Sequence, residues 1–245
     1  FLSNKETINK RLFRAKEKLR TEKIQLEMPS EKEITSRLDN VLHIIYLLFN
    51  EGYYSRTNNK RLQKDFCLEA LRLGLLLTEY ERTNLPRTNA LVALMCFHAS
   101  RFDARETDKV VLYEQQDVAL WNMGLIRQGM YYMELSAQGS EISSYHLESK
   151  IAYLHCQRND TVEKWEEILQ AYDQLMQVNY SPGVALNRVY AVYKVHGQKA
   201  ALTEAEKLHM TNSHFYYLLL GELYKGFDNR EAKANFEKAF SLART

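Results

Sequence analysis

The chain has 245 residues, of which 45% are hydrophobic and 26% charged, proportions that are ordinary for a globular protein with one large or two small domains. No apolar run reaches the roughly 18 residues of a membrane span. Three cysteines, Cys67, Cys96 and Cys156, without a C-x-x-C pair argue against a disulfide framework or a zinc site and favour a reducing, cytoplasmic setting.

The net charge of +2 hides a basic N-terminal segment. Residues 1–24 carry eight Lys or Arg against three Glu, a net charge of +5, so the rest of the chain carries −3. Ser3 followed by Glu6 predicts a capping box that starts a helix over about 4–23. Its apolar face would consist of Ile8, Leu12, Ala15 and Leu19. The opposite face would carry Asn9, Lys10, Phe13 and Arg14.

A phenylalanine among cations on that face is typical of a surface that meets base edges and phosphates. An ordinary basic surface helix is the alternative interpretation. Because the basic charge is concentrated in this helix, only the N-terminal segment is expected to bind a polyanion.

Glycine and proline are scarce, at nine and three residues, and period-2 strand patterns are lacking, so the sequence predicts an all-α protein. Pro29 marks a linker because it forbids continuation of the first helix. Helices are then predicted over about 34–50, 61–81 and 86–103, followed by a loop over 104–117.

The second half of the chain predicts further helices over about 118–138 and 143–158. Asp160 with Glu163 predicts a capping box at the start of the next helix. Ser181 and Pro182 predict an N-cap followed by proline at the first helical position. Gly197 separates that helix from the one after it.

The C-terminal part has a pattern of small and large residues that is typical of tetratricopeptide-like helix pairs. The pattern consists of Leu220, Gly221 and Tyr224 followed by Ala232, Phe236 and Ala239. Stacked pairs of this kind form a concave face that holds peptides or proteins. A non-repeating helical bundle is the alternative.

Catalytic motifs are missing: the sequence has no H-E-x-x-H, no G-x-S-x-G and no glycine-rich phosphate loop, so neither an enzyme nor a cofactor or metal site is expected. One polar set interrupts otherwise apolar helices. It consists of Asn50, Glu51, Arg72, His98, Arg101 and Arg105. These residues are interpreted either as an internal network that fixes helix packing or as a pocket for a small ligand or a partner side chain.

The N-terminal segment resembles the recognition helix of region 4 in the extracytoplasmic-function sigma factors of bacterial RNA polymerase. The family pattern is Thr-Val-x-x-Arg-Leu-x-Arg-Ala-Arg/Lys-x-Lys-Leu. Here it is filled by Thr7, Ile8, Arg11, Leu12, Arg14, Ala15, Lys16, Lys18 and Leu19. The first helix of that helix-turn-helix does not lie in this sequence.

The remaining chain resembles the long helical, tetratricopeptide-like extension that one subgroup of these sigma factors carries after region 4. The matching stretches are 50–53, 67–73, 93–105, 116–117 with Trp121, 151–155, Trp165, 172–175 and 181–188. Val118 is a departure, since the subgroup usually has arginine there, which puts in doubt any contact attributed to that arginine.

The resemblance implies an all-α fold in which the recognition helix of a helix-turn-helix is followed by a helical bundle with tetratricopeptide-like pairs. Region 4 would occupy 1–24 and a linker 25–33; the extension would occupy 34–245, tetratricopeptide-like toward 165–245. Asn9, Lys10, Phe13 and Arg14 would face the −35 promoter element. Lys5, Arg11 and Lys18 would anchor phosphates.

The implied function is that of a sigma factor fragment in the bacterial cytoplasm. Its expected partners are promoter DNA, RNA polymerase core through a region 2 that this sequence does not contain, and a regulatory protein or peptide on the helical-repeat face. No membrane contact is expected. The alternative is a tetratricopeptide-like adaptor without a DNA role, in which the first helix packs on the bundle.

Overall fold

The computed structural model of the protein describes residues 5–22, 29–54, 63–105 and 116–243. Within these ranges every regular element is helical, which confirms the all-α prediction. The α-helices are α1 Lys5–Thr21, α2 Glu31–Tyr54, α3 Lys64–Thr78, α4 Pro86–Ala99, α5 Phe102–Arg105, α6 Met123–Ser136, α7 Ser144–Leu154, α8 Val162–Val178, α9 Pro182–His196, α10 Gln198–Glu206, α11 His214–Tyr224 and α12 Asn229–Ala243. A 3₁₀ turn at Val118–Leu120 precedes α6.

The chain divides into two compact units, one within residues 1–37 and the other within 38–245. The first contains α1 and the start of α2, and the second contains the rest of α2 and all later helices. Among the described residues, no helix combines the length and the apolar character that crossing a bilayer requires.

Capping residues decide where several helices begin. Ser30 and Glu33 form a capping box: the Ser30 backbone N–H donates to Glu33 Oε2 at 2.9 Å and the Glu33 N–H donates to Ser30 Oγ at 3.4 Å. For this reason α2 starts at Glu31, earlier than the predicted position 34. The predicted capping box at Ser3 and the linker residues 25–28 lie outside the described part of the chain.

Two further predicted caps have different outcomes. Ser181 caps α9 as predicted, with Oγ accepting from the Val184 N–H at 3.2 Å and Pro182 at the first position. The capping box at Asp160 is wrong: Thr161 is the N-cap of α8, and its side chain accepts from the Lys164 N–H. The Asp160 carboxylate instead accepts a hydrogen bond from the indole N–H of Trp165.

The core of the second unit is centred on α4, which is buried almost all round from Thr88 to Ala99. It packs against α3, α6 and α7. The hydrophobic core around α4 also includes the buried side chains of α2. Gly129 in α6 permits this packing, since a Cβ there would lie 2.7 Å from the Phe97 ring. A central helix surrounded on all sides explains why α4 shows continuous burial rather than one apolar stripe.

The C-terminal helices form three hairpins, α7–α8, α9–α10 and α11–α12, in which each helix packs on the next one along the chain. The contact predicted between α11 and α12 is present: Ala232 and Ala239 are buried, and the Phe236 ring lies against Gly221. Because a Cβ at Gly221 would come within 2.6 Å of that ring, the pattern needs glycine there.

Candidate functional site

The exposed surface of α1 is the first candidate site. Of the seven predicted DNA-binding side chains, six are exposed on this helix: Asn9, Lys10, Arg11, Phe13, Arg14 and Lys18. Lys5 begins the helix, but its side chain lies outside the described residues. Phe13 is 66% exposed among these polar and cationic groups, so the helix presents an aromatic ring together with positive charge.

The predicted apolar face of α1 is exposed as well, with Leu12 at 54% and Leu19 at 56%. Ion pairs lie toward the C-terminal end of the helix, where Arg20 is 3.2 Å from Glu17 and Lys18 is 3.7 Å from Glu22. Such exposed pairs contribute at most about 1 kcal/mol and exchange readily for a phosphate. The helix therefore offers both a cationic and an apolar surface for binding.

The predicted polar set of the second unit separates into surface and interior members. Arg72 is exposed and makes a two-point ion pair with Glu69 on its own helix, with N–O distances of 2.7 and 2.8 Å. Glu51 is exposed and Asn50 is partly buried. The internal-network prediction is therefore wrong for Arg72 and Glu51, because the side of each helix that they occupy faces solvent.

His98, Arg101 and Arg105 do come together: His98 and Arg105 contact the buried ring of Tyr53, and Arg101 contacts His98. The His98 ring centre is 4.7 Å from that of Tyr53, and the Arg105 guanidinium lies 4.0 Å over the same ring. Arg101 Nη2 lies 3.4 Å from His98 Nδ1. Burial, followed by the charges of Arg101 and Arg105, lowers the pKa of His98 well below its ordinary value, so the imidazole is neutral and accepts from the guanidinium.

This cluster continues toward the hairpin of α7 and α8. Burial lowers the pKa of His155 to about 3, with the charges of Arg101 and Lys164 acting in the same direction and Asp160 opposing them. Lys164 is 4% exposed and its Nζ donates to the Gln157 carbonyl at 3.1 Å. Burial is also the largest cause that lowers the pKa of Lys164, ahead of the opposing Asp160 charge.

Asp160 connects three groups at the edge of this interior. Its Oδ1 accepts from Trp165 Nε1 at 2.6 Å, and its Oδ2 accepts from Lys194 Nζ at 2.8 Å. Lys164 Nζ is 3.8 Å away. One carboxylate thus joins the start of α8 to α9, and Lys194 also lies 5.0 Å over the Trp165 ring.

The chemistry of this cluster is that of a cation-rich interior in which histidines stay neutral. Two imidazoles, one indole and several cations meet where α4, α7 and α8 approach one another. Within the described ranges, no three His, Cys, Asp or Glu side chains are placed to hold a metal ion. Hydrogen bonds of Lys164 and Asp160 connect the residues after α7, the start of α8 and the end of α9. The nearby cations stabilise an ionised carboxylate such as that of Asp160.

The sequence contained part of the signal for this cluster. Arg101 lies in the predicted polar set, and His155 and Trp165 lie in stretches that match the sigma-factor extension. Their proximity depends on the α7–α8 hairpin and on its packing against α4, which local spacing does not specify. Lys164 was missed because a lysine in the first turn of a helix is normally solvated.

The chain is similar to a protein family and to a relative for which no activity is assigned. A family model described as a family of unknown function, DUF6596, matches residues 37–137, which run from α2 to α6. An uncharacterized protein of Rhizobium meliloti strain 1021 is 33% identical over 249 residues, an alignment that covers 99% of this chain and 59% of that protein. The chain therefore spans less than two thirds of that relative's length. No solved structure matches.

Proposed function

We propose that this chain is part of a bacterial RNA polymerase sigma factor of the extracytoplasmic-function type. In this proposal α1 recognises the −35 promoter element and the second unit regulates initiation. The observation that supports it is the surface of α1, which displays Phe13 together with Lys10, Arg11 and Arg14. An aromatic ring exposed among cations is costly in water and is suited to the mixed surface of a DNA groove.

The side chains of α1 would divide their roles by position on the helix. Asn9, Lys10, Phe13 and Arg14 lie within about one and a half turns and would meet base edges. Lys5, Arg11 and Lys18 would contact phosphates, which orient the helix without reading sequence. Binding to RNA polymerase core and melting of the promoter are proposed for the whole protein and not for these residues.

The test is in vitro transcription with bacterial core polymerase and the product of the complete gene. Arg14→Ala should reduce transcription from a promoter with an intact −35 element by about tenfold, since a base contact of this kind is worth about 1–3 kcal/mol. Arg20→Ala is the matched control, because Arg20 lies on the same helix and is paired with Glu17. Equal activity of the two variants would contradict a promoter-reading role for α1.

The role of the second unit is tested by a truncation after residue 27 in the same assay. Loss of transcription would make the helical domain a required part of initiation, whereas a gain would make it a built-in inhibitor. Unchanged activity would argue that the domain does not regulate initiation under these conditions.

A second candidate function is that of a helical-repeat adaptor without a DNA role. The observation that favours it is the chain-order stacking of the α7–α8, α9–α10 and α11–α12 hairpins, an arrangement that binds peptides in many repeat proteins. Transcription of genomic DNA with core polymerase, read by sequencing of the products, discriminates the two. If adding the protein to core polymerase produces no promoter-specific transcript, the adaptor role is the better explanation.

A further inference from the structure

A hydrogen bond joins α2 to α7, two helices that are far apart along the chain. The Tyr46 hydroxyl donates to Glu148 Oε2 at 2.9 Å, and both side chains are partly buried. The Tyr145 ring, one turn before Glu148 on α7, lies 5.6 Å from the Tyr46 ring. Three side chains from two helices thus meet at one point, and one of them is a carboxyl group that can ionise.

α2 is held to the second unit along one side. Leu38, Leu42 and Ile45 are each at most 4% exposed, whereas Val41 and Ile44 on the outer side are 38% and 63% exposed. The boundary between the two compact units falls inside this helix, since the first unit ends at residue 37. Residues 38–46 therefore form the margin of the second unit, and a marginal element opens at a lower free energy than a central one.

Ionisation of Glu148 opposes its burial at this contact. Burial raises the pKa of Glu148 from 4.5 to about 7, and the hydrogen bond from Tyr46 offsets only part of this effect. Burial, followed by the charges of Glu148 and Asp39, raises the pKa of Tyr145 to about 12, so its hydroxyl stays neutral. The His43 ring of α2 stacks on Tyr46 with ring centres 6.4 Å apart. Glu148 is thus the carboxyl group whose charge the contact has to accommodate.

Charged side chains of the helices packed on α7 are paired with other groups. Arg87 of α4 is 2.7 Å from Asp39 and 3.5 Å from Glu141. Glu167 of α8 is 3.3 Å from Lys150 of α7. Among the described residues, no charge of α4, α6 or α8 shifts the pKa of the carboxyl group that accepts from the tyrosine. The ionised form of that group therefore gains most from contact with water.

We propose that Tyr46, Tyr145 and Glu148 form a proton-operated device, the α2–α7 clasp. It holds residues 38–46 against the core of the second unit when Glu148 is neutral and releases them when Glu148 has given its proton to water. Release is a local opening in which Tyr46 moves away and water reaches the carboxylate. The clasp goes beyond the proposed function, since it operates whether or not α1 binds DNA.

The size of the effect follows from the ionisation of Glu148 in the closed and open states. In the closed state its pKa is about 7, and in the open state it returns to the ordinary value of 4.5. The open state therefore binds fewer protons in this range, and opening becomes more favourable as pH rises. Between pH 6 and pH 8 the opening constant of residues 38–46 should increase about tenfold.

The test is hydrogen–deuterium exchange of the 245-residue chain at pH 6 and pH 8, read by mass spectrometry and divided by the intrinsic exchange rate at each pH. Peptides from 38–46 should lose about tenfold in protection in the unmodified chain. They should keep their protection in Glu148→Gln, which retains an acceptor for Tyr46. Glu167→Gln removes an exposed carboxyl group from the helix next to α7 and is the matched control. It should lose protection as the unmodified chain does, and His43 is present in all three proteins.

Urea separates this local opening from global unfolding. Exchange through global unfolding accelerates with denaturant, whereas a local opening exposes little surface and depends on it only weakly. In 1 M urea the protection of residues 38–46 should stay nearly constant. The protection of the buried α9 residues Val189 and Ala191 should fall at least about fivefold.

Three outcomes would overturn the proposal. Constant protection of 38–46 between pH 6 and pH 8 in the unmodified chain would show that the contact does not respond to protons. An equal loss of protection in Glu148→Gln would assign the response to another group. Equal urea dependence of 38–46 and α9 would show that these residues open only when the whole unit unfolds.

Discussion

The carboxyl group of Glu148 gives the second unit a stability that depends on pH. Glu148 lies on α7 and accepts a hydrogen bond from the Tyr46 hydroxyl of α2 at 2.9 Å. Burial raises its pKa from 4.5 to about 7, and the Tyr46 hydrogen bond offsets only part of this effect. Replacing Glu148 with Gln keeps an oxygen that accepts from Tyr46 and removes the ionisation.

The sign follows from the proton counts of the two states. Between pH 4.5 and pH 7 the folded chain keeps a proton on Glu148 that the unfolded chain releases, so stability falls as pH rises through this window. The stability that the neutral carboxyl preserves is fully present below pH 4.5 and is lost above pH 7. One pKa unit corresponds to about 1.4 kcal/mol, so the whole effect is about 3 kcal/mol, of which about 2 kcal/mol falls between pH 5.5 and pH 8.

The assay is chemical denaturation of the unmodified chain and Glu148→Gln at pH 5.5 and pH 8. The variant should gain about 2 kcal/mol relative to the unmodified chain over this range, or about 4–8 °C in Tm for a protein of this size. Glu134→Gln, at an exposed position of α6, is the control and should follow the unmodified chain. If the two stability curves of Glu148→Gln and the unmodified chain are parallel in pH, Glu148 ionises freely in the folded state and the reasoning is refuted.

Two further predictions concern packing and thiol reactivity. Gly221→Ala should destabilise the chain by about 1–3 kcal/mol because its Cβ would lie 2.6 Å from the Phe236 ring, whereas Gly183→Ala, with its nearest neighbour at 3.9 Å, should not; denaturation of both variants checks this. Burial raises the pKa of Cys67 and of Cys96 to about 12, so at pH 8 both thiols should resist Ellman's reagent in the folded chain and react only after denaturation. Rapid reaction of either thiol in the folded chain would contradict its buried placement.

The sequence predicted the start of a helix correctly where the N-cap side chain had no other hydrogen-bond partner among the described residues of the folded chain. At Ser181 and Pro182 the cap and the fixed proline φ agree, and α9 begins there as predicted. At Asp160 the same carboxylate could either cap α8 or accept hydrogen bonds from side chains of α8 and α9. Its bonds to Trp165 and Lys194 prevailed over capping, and Thr161 took the cap. The sequence shows that Asp160 can cap but does not show that an indole and an ammonium lie within reach.

The candidate polar set shows the same limit at the level of tertiary structure. Helical spacing identified His98, Arg101 and Arg105 as polar groups among apolar ones, and the structure places His98 and Arg105 at the Tyr53 ring and Arg101 next to His98. The same criterion selected Arg72, which is exposed and satisfied by Glu69 one turn away. Spacing along one helix finds a polar position, but whether it faces the interior depends on which neighbouring helices cover it.

The match of the family model to residues 37–137 does not coincide with a folding unit. The family match ends directly after α6. However, α4 packs against α7 as well as α6, and the Phe97 ring of α4 lies 5.5 Å from the Tyr153 ring of α7. Burial lowers the pKa of His155, a residue beyond the match, and the charge of the buried Arg101 acts in the same direction. Ending the chain at 137 would therefore expose one side of α4 and the Arg101 interior to water, a loss of apolar burial that a small helical unit does not survive. Residues 38–137 of the matched segment and the stacked hairpins belong to the same compact unit, so the boundary of the match falls inside a continuous packed core.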